Sequence, residues 1–189
     1  MELRNAGIQI PILVLGHTPS AAFSEAIQND IRPAIFSLDA AKALSQEALK
    51  LGKSARFHFA VDTGMGRIGY QVTEESADEM EQISNLPNII VEGIFTHFSR
   101  ADEPDRANTE KQMELFEKMI AMLEERGLDI PLKHCSNSAG IVEFSEANMD
   151  LVRAGVILYG MWPSAEVNHE RVQLKPAMRL ISHVAYVKT

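Results

Sequence analysis

Short apolar runs alternate along this chain with longer stretches of helical period, and that alternation limits the possible folds more than any other feature. Residues 12–15, 34–37, 57–61, 91–96 and 132–135 read as strands. Between and after them, residues 21–29, 40–51, 74–84, 107–126 and 138–144 read as helices, several of them closed by glycine (Gly52, Gly127) or by a turn such as Asn85-Leu86-Pro87. Residues 151–153 and 155–159 read as a sixth strand. Strands separated by helices pair in parallel through right-handed crossovers, so the choice lies between an open doubly wound sheet and a closed barrel. No Gly-x-Gly-x-x-Gly string follows the first strand, as a dinucleotide-binding open sheet would carry. Polar residues instead gather at the carboxyl ends of several strands: 62–67, His97, 136–138 and Arg153. A (β/α)8 barrel builds its site on that face. The expected fold is therefore α/β, an incomplete (β/α)8 TIM barrel of about six βα units with its first strands missing. Residues 178–187 alternate with no helix behind them and predict the first strand of a β-rich C-terminal domain. The expected division is a partial barrel over 1–166, then a linker and first β strand over 167–189, so the chain reads as a fragment.

Charge narrows the function. The formal net charge is −8, and no basic cluster offsets it, which argues against nucleic-acid binding. No apolar run is long enough to cross a bilayer, and the start, Met1-Glu2-Leu3-Arg4, does not read as a signal peptide. Cys135 is the single cysteine, which points to a reducing, cytoplasmic setting.

Three motifs carry chemistry. Val61-Asp-Thr-Gly-Met-Gly-Arg-Ile-Gly-Tyr70 places Gly64, Gly66 and Gly69 around Arg67, directly after a strand. Glycines this dense mark a loop of unusual backbone angles. Arg67 reads either as half of a surface ion pair or as a bidentate clamp for a carboxylate or phenolate. His97 ends the fourth strand and reads as a hydrogen-bonded structural group or a ligand contact. It has no second metal-ligating neighbour, so no metal site is expected. His134-Cys-Ser-Asn-Ser-Ala-Gly140 joins a strand to a helix. Asn137 or Ser138 there is a helix cap, a phosphate contact, or both. Gly155 and Val156 add backbone N–H groups beside it, and Arg153 is a cation at a strand end that needs a partner. Cys135 reads as a packed side chain. From residues alone, the chain is a partial barrel that binds a phosphorylated, anionic small molecule.

Taken together, "PILVLG", "VDTGMGRIG", "EGIFTHFSRAD", "KHCSNSAG", "VRAGVILYG" and "LKPAMRLISHVAYVK" resemble the alanine racemase family. These enzymes use pyridoxal 5'-phosphate (PLP) to interconvert L- and D-alanine, which feeds cell-wall peptidoglycan. The resemblance implies a PLP-binding barrel in the cytoplasm, a homodimer in the full-length protein and alanine as the small-molecule substrate. It implies that Arg67 holds the cofactor's phenolic oxygen and the substrate carboxylate, and that His97 packs on the cofactor ring. It implies that Asn137, Ser138, Gly155 and Val156 surround the phosphate, and that Arg153 donates to the pyridine nitrogen. Related barrel decarboxylases place a carboxylate at that nitrogen, so Arg153 favours a racemase. The family's Schiff-base lysine motif and its second base, a tyrosine from the partner's C-terminal domain, have no counterpart here, so this chain alone is expected to be inactive. Some members carry a carbamylated lysine where this chain has Ala60. A non-catalytic PLP-binding barrel and a racemase of broader specificity are the competing expectations.

Overall fold

The computed structural model describes residues 1–188. Five parallel strands form one sheet: β1 (Ile12–Val14), β2 (Ile31–Ile35), β3 (Ala55–Ala60), β4 (Ile89–Phe95) and β5 (Leu132–His134). Their spatial order is their chain order, β1-β2-β3-β4-β5. A doubly wound sheet reverses its strand order at a switch point. A sheet that only adds strands on one side curls toward closure, and this one is a half-barrel of the (β/α) type.

Helices cover the convex face: α2 (Phe23–Gln28), α3 (Leu38–Leu51), α4 (Glu74–Ser84), α5 (Ala107–Glu125) and α6 (Ser138–Glu143), with a short α1 (Glu2–Asn5) ahead of the sheet. The sequence sets their ends through local hydrogen bonds. Ser37 caps α3 by accepting from the Ala40 N–H, and Gly52 stops it in the left-handed region at φ 62°. Thr73 caps α4 in the same way, accepting from Ser76. The main core lies between the two layers, where Phe57, Phe59 and Ile94 of the sheet meet Leu44, Met80, Phe116 and Met119 of the helices. The concave face holds only a small apolar cluster, Ala34, Ala60 and Phe95 with Phe36 and Ile68, and leaves room for polar groups.

The sixth strand does not form. Residues 150–153 make two backbone hydrogen bonds along β5 and the loop after it, Asp150 N–H to the Lys133 carbonyl (3.1 Å) and Arg153 N–H to the Ser136 carbonyl (3.0 Å). The apolar run beyond them winds into a 3-10 turn, Val156–Tyr159, ended by Gly160 at φ 73°. A short apolar run carries no period that separates strand from helix, which is why the sequence misled here. Residues 178–187 likewise form no strand. Leu180, Val184 and Tyr186 are exposed, and a strand without a partner edge has nothing to bond. The segment that packs on the barrel runs past residue 166. Val167 is buried, Asn168 N–H donates to Glu143 Oε1 (2.6 Å), and Arg171 donates to the Val142 carbonyl (2.9 Å).

Candidate active site

The glycine-rich loop after β3 is folded by Asp62. Its Oδ1 accepts from both Gly64 N–H and Gly66 N–H at 3.0 Å, drawing the loop into a ring. Gly69 is required by close approach as well as by angle: at φ 123°, a Cβ there would lie 2.5 Å from the Asp62 nitrogen. Tyr70 then returns to the sheet and donates to Glu79 Oε1 of α4 at 2.6 Å. Arg67 stands on this loop, exposed. Ala60, at the base of the loop, is buried in the small concave cluster with Phe36 and Phe95.

Arg153 is the centre of the site. One Nη donates to His134 Nδ1 (2.7 Å), and the other donates to the carbonyls of Thr96 (2.6 Å) and Cys135 (3.0 Å) and approaches His97 Nδ1 (3.5 Å). Its Nε is fully buried and has no partner among the described residues. Burial lowers its pKa to about 10, which leaves it charged at neutral pH.

Behind Arg153 runs a polar chain with a fixed direction. Arginine can only donate, so His134 Nδ1 must accept, and its proton sits on Nε2. His134 Nε2 therefore donates to His58 Nδ1 (2.9 Å), and His58 Nε2 faces Glu92 Oε2 (3.4 Å). Glu92 is held by Arg32, at 2.7 Å and 3.2 Å, and Arg32 is held by Asp30 at 2.8 Å. A β-bulge makes this possible. Phe57 pairs with Val91 but His58 pairs with Gly93, so Glu92 is the extra residue. A Cβ on Gly93 would come within 2.5 Å of the His58 ring. Burial, with the Arg153 charge behind it, pushes His134 down to about 2, and burial lowers His58. Burial pushes the Glu92 carboxyl up, but the Arg32 hydrogen bond and charge outweigh it, and the net shift is downward. His58, Glu92, Arg32 and Arg153 line one concave cleft of about 230 Å³.

His97 is held beside Arg153. Burial, then the charges of Arg153 and Arg67, lowers its pKa to about 4, so it is neutral and both cations act on the same place. Across β5, Asn137 Oδ1 accepts from the Gly140 N–H (2.9 Å) and caps α6, while its amide donates to the Phe98 carbonyl (3.2 Å). Ser138 Oγ accepts from the Gly155 N–H at 2.9 Å, and Val156 follows at the exposed start of the 3-10 turn. Gly155 lets the two loops touch, since a Cβ there would stand 3.3 Å from Ser138 Oγ. Burial pushes the Cys135 thiol up to about 12, consistent with a packed side chain.

Residues 1–163 match the family model described as alanine racemase, N-terminal domain. The chain belongs to that family. Alanine racemase of Clostridium perfringens (strain SM101 / Type A) is 46% identical over 187 residues, covering 99% of this chain and 48% of the relative. Alanine racemase of Clostridium tetani is 43% identical over 188 residues, covering 100% and 49%. Among solved structures, alanine racemase of Clostridium difficile 630 in complex with cycloserine superposes with a TM-score of 0.92 at 44% identity, over 93% of this chain and 48% of that one. Alanine racemase of Bacillus anthracis with bound L-Ala-P gives 0.86 at 32% identity, over 93% and 46%. The chain spans about half the length of these alanine racemases. Arg32, His58 and Glu92, which stand behind Arg153 and His134, were not singled out by motif. Their signal was present: each is an ionisable residue inside a strand whose neighbours are apolar.

Proposed function

We propose that the whole protein racemises alanine with PLP, and that this chain provides the cofactor-binding half-barrel. The observation that carries the reading is the Arg153 guanidinium, held on its Nη side by His134 and two carbonyls, with a buried Nε–H that has no partner among the described residues. A buried donor without an acceptor is costly, and a pyridine nitrogen is an acceptor of the right kind. When bound, PLP supplies an electron sink for the pair left on the substrate α-carbon as its proton departs. Arg153 stays protonated and can only donate, so it holds the ring nitrogen in its unprotonated, accepting form. That weakens the sink and disfavours transamination. Arg67 receives the substrate carboxylate and the cofactor's phenolic oxygen, and His97 packs against the ring. The Ser138 hydroxyl keeps its own proton for a phosphate oxygen while accepting from Gly155, with the Val156 backbone alongside and Asn137 fixing the turn.

The names of the relatives, and the cycloserine and L-Ala-P complexes of two of them, support alanine as substrate. The exposed apolar side chains Met65, Val156, Leu158 and Tyr159 suit a partner subunit, and the family setting suits a cytoplasmic homodimer that supplies D-alanine to peptidoglycan. Residues 167–188 would then lead into the β domain. The test is to supply the full-length protein with PLP and follow L- to D-alanine and the reverse, beside a panel of other amino acids. Interconversion of alanine above the rest is expected. PLP binding with no racemisation of any amino acid would replace this reading with that of a cofactor carrier.

A further inference from the structure

We propose that Gln112, on α5 and away from the motifs, is a positioning residue that ties the Arg67 loop, the His97 loop and Arg153 into one body; this rests on the racemase reading above. Gln112 is 1% exposed. Its Nε2 donates to Thr63 Oγ1 (3.1 Å) and to the His97 carbonyl (3.0 Å), and its Oε1 accepts from the Ser99 N–H (2.9 Å) and the Ser99 hydroxyl (3.1 Å). The orientation of the amide is not arbitrary. A backbone N–H can only donate and a carbonyl can only accept, so Ser99 and His97 between them fix which end of the amide is which. Both of its donors and both lone pairs of its oxygen are engaged.

The network extends further. Thr63 Oγ1 accepts from Gln112 Nε2 and shares a hydroxyl–hydroxyl hydrogen bond with Thr96 Oγ1, 2.8 Å away. The carbonyl of Thr96 in turn receives Arg153 at 2.6 Å. One helix side chain thus reaches the loop four residues before Arg67, the backbone of His97, and the residue that anchors Arg153. The loop packs on it as well: a Cβ at Gly64 would stand 3.6 Å from Gln112 Cγ. A buried methionine or leucine would fill the same space, but it would join none of these loops. Asp62 closes the Arg67 loop on itself, and the bonds that converge on Gln112 tie that closed loop to the His97 backbone and to α5.

The test uses the full-length protein with Gln112→Met, which keeps length and removes hydrogen bonding, and the gentler pair Thr63→Val and Thr63→Ser. In the cofactor-free protein, amide exchange at residues 64–67 is expected to speed up by about tenfold or more in Gln112→Met and Thr63→Val, with Thr63→Ser near wild type. With PLP, the KM for alanine is expected to rise roughly tenfold in Gln112→Met, more than kcat falls. In an Arg67→Ala background the same change should add less than about twofold, because it acts through Arg67. Unchanged exchange and KM, or effects that simply multiply with those of Arg67→Ala, would overturn the positioning role while leaving the racemase intact. If Gln112→Met does not fold, the Thr63 pair decides alone: equal behaviour of Val and Ser overturns the proposal. A wild-type protein that racemises nothing removes the functional reading and this inference with it.

Discussion

At Arg153, an imidazole nitrogen and two backbone carbonyls meet one cation, and all of them are neutral. The charge is therefore not cancelled locally, and its Nε–H can polarise whatever it faces. Changing Arg153→Glu in the full-length protein would set a carboxylate against the ring nitrogen and favour its protonated form. The ratio of transaminated cofactor to racemised product is expected to rise. An unchanged ratio, with the cofactor still bound in place, would contradict the electronic argument. The histidines around Arg153 give a second test, in stability. His134, His58 and His97 all titrate below the ordinary histidine value in the folded chain, at about 2 for His134 and about 4 for His97. Between that value and their folded pKa, the unfolded chain binds protons that the folded chain refuses. Stability should thus be flat above pH ~6.5 and fall as the pH drops below it, by at most roughly 1.4 kcal/mol per pH unit for each histidine. Urea midpoints at closely spaced pH values would reveal this, and His134→Gln should flatten the slope. Loss of stability that starts only below pH ~4.5 would assign it to carboxylates such as Glu92 instead.

At the scale of the element, Gly93 is the position where β4 admits the His58 ring. Gly93→Ala should cost about 1–3 kcal/mol through overpacking and push His58 off His134, lowering the melting temperature and disturbing the Arg153 side of the site together. A variant as stable as wild type would mean that the sheet yields more easily than the 2.5 Å approach implies. Helix ends were legible where glycine closed them. Residues 74–84 are found as a helix over the same span, and Gly52 and Gly127 sit where α3 and α5 end, whereas Ser37, read as the end of a strand, caps α3, which begins at Leu38 rather than Ala40. The small α1 and the 3-10 turns left no period to read. The motif residues Arg67, His97, Asn137, Ser138 and Arg153 announced themselves because glycines or strand ends framed them. Glu92, His58 and Gln112 did not, because their partners are 34 to 76 residues away for the first two and 13 to 49 for the third. Hydrogen bonds of that separation exist only once the sheet has formed.

At the scale of the molecule, the sheet has two unclosed sides. Among the described residues, β1 pairs only with β2, and β5 pairs with β4 while Lys133 and Ser136 accept one backbone bond each from Asp150 and Arg153. Apolar side chains also stay exposed, among them Leu158 and Leu180. Open edges recruit other strands. The 189-residue chain by itself is therefore expected to self-associate, and light scattering on a sizing column should give a mass well above 21.0 kDa. Mixed with PLP and borohydride, it should form no site-specific adduct. Lys42 and Lys50 lie on α3, and Lys133 is paired with Asp129 at 3.3 Å and Glu124 at 3.7 Å. A monodisperse monomer would contradict the first expectation, and a single labelled lysine the second.

The extra residue in β4 is also a shift of phase. Strand residues alternate between faces, and the insertion at Glu92 resets the count, so that Ile94 falls among the helices and Phe95 on the concave side. Removing one residue between Val91 and Ile94 would exchange those two, and would carry Thr96 and His97 to the wrong sides with them. Replacing a letter here acts on the contacts of that position; dropping a letter scrambles every position downstream to the end of the strand. When related sequences are aligned over 89–97, gaps should therefore be rare even where the letters differ. Insertions and deletions should accumulate instead in the polar stretch 99–106, where no strand phase has to be kept.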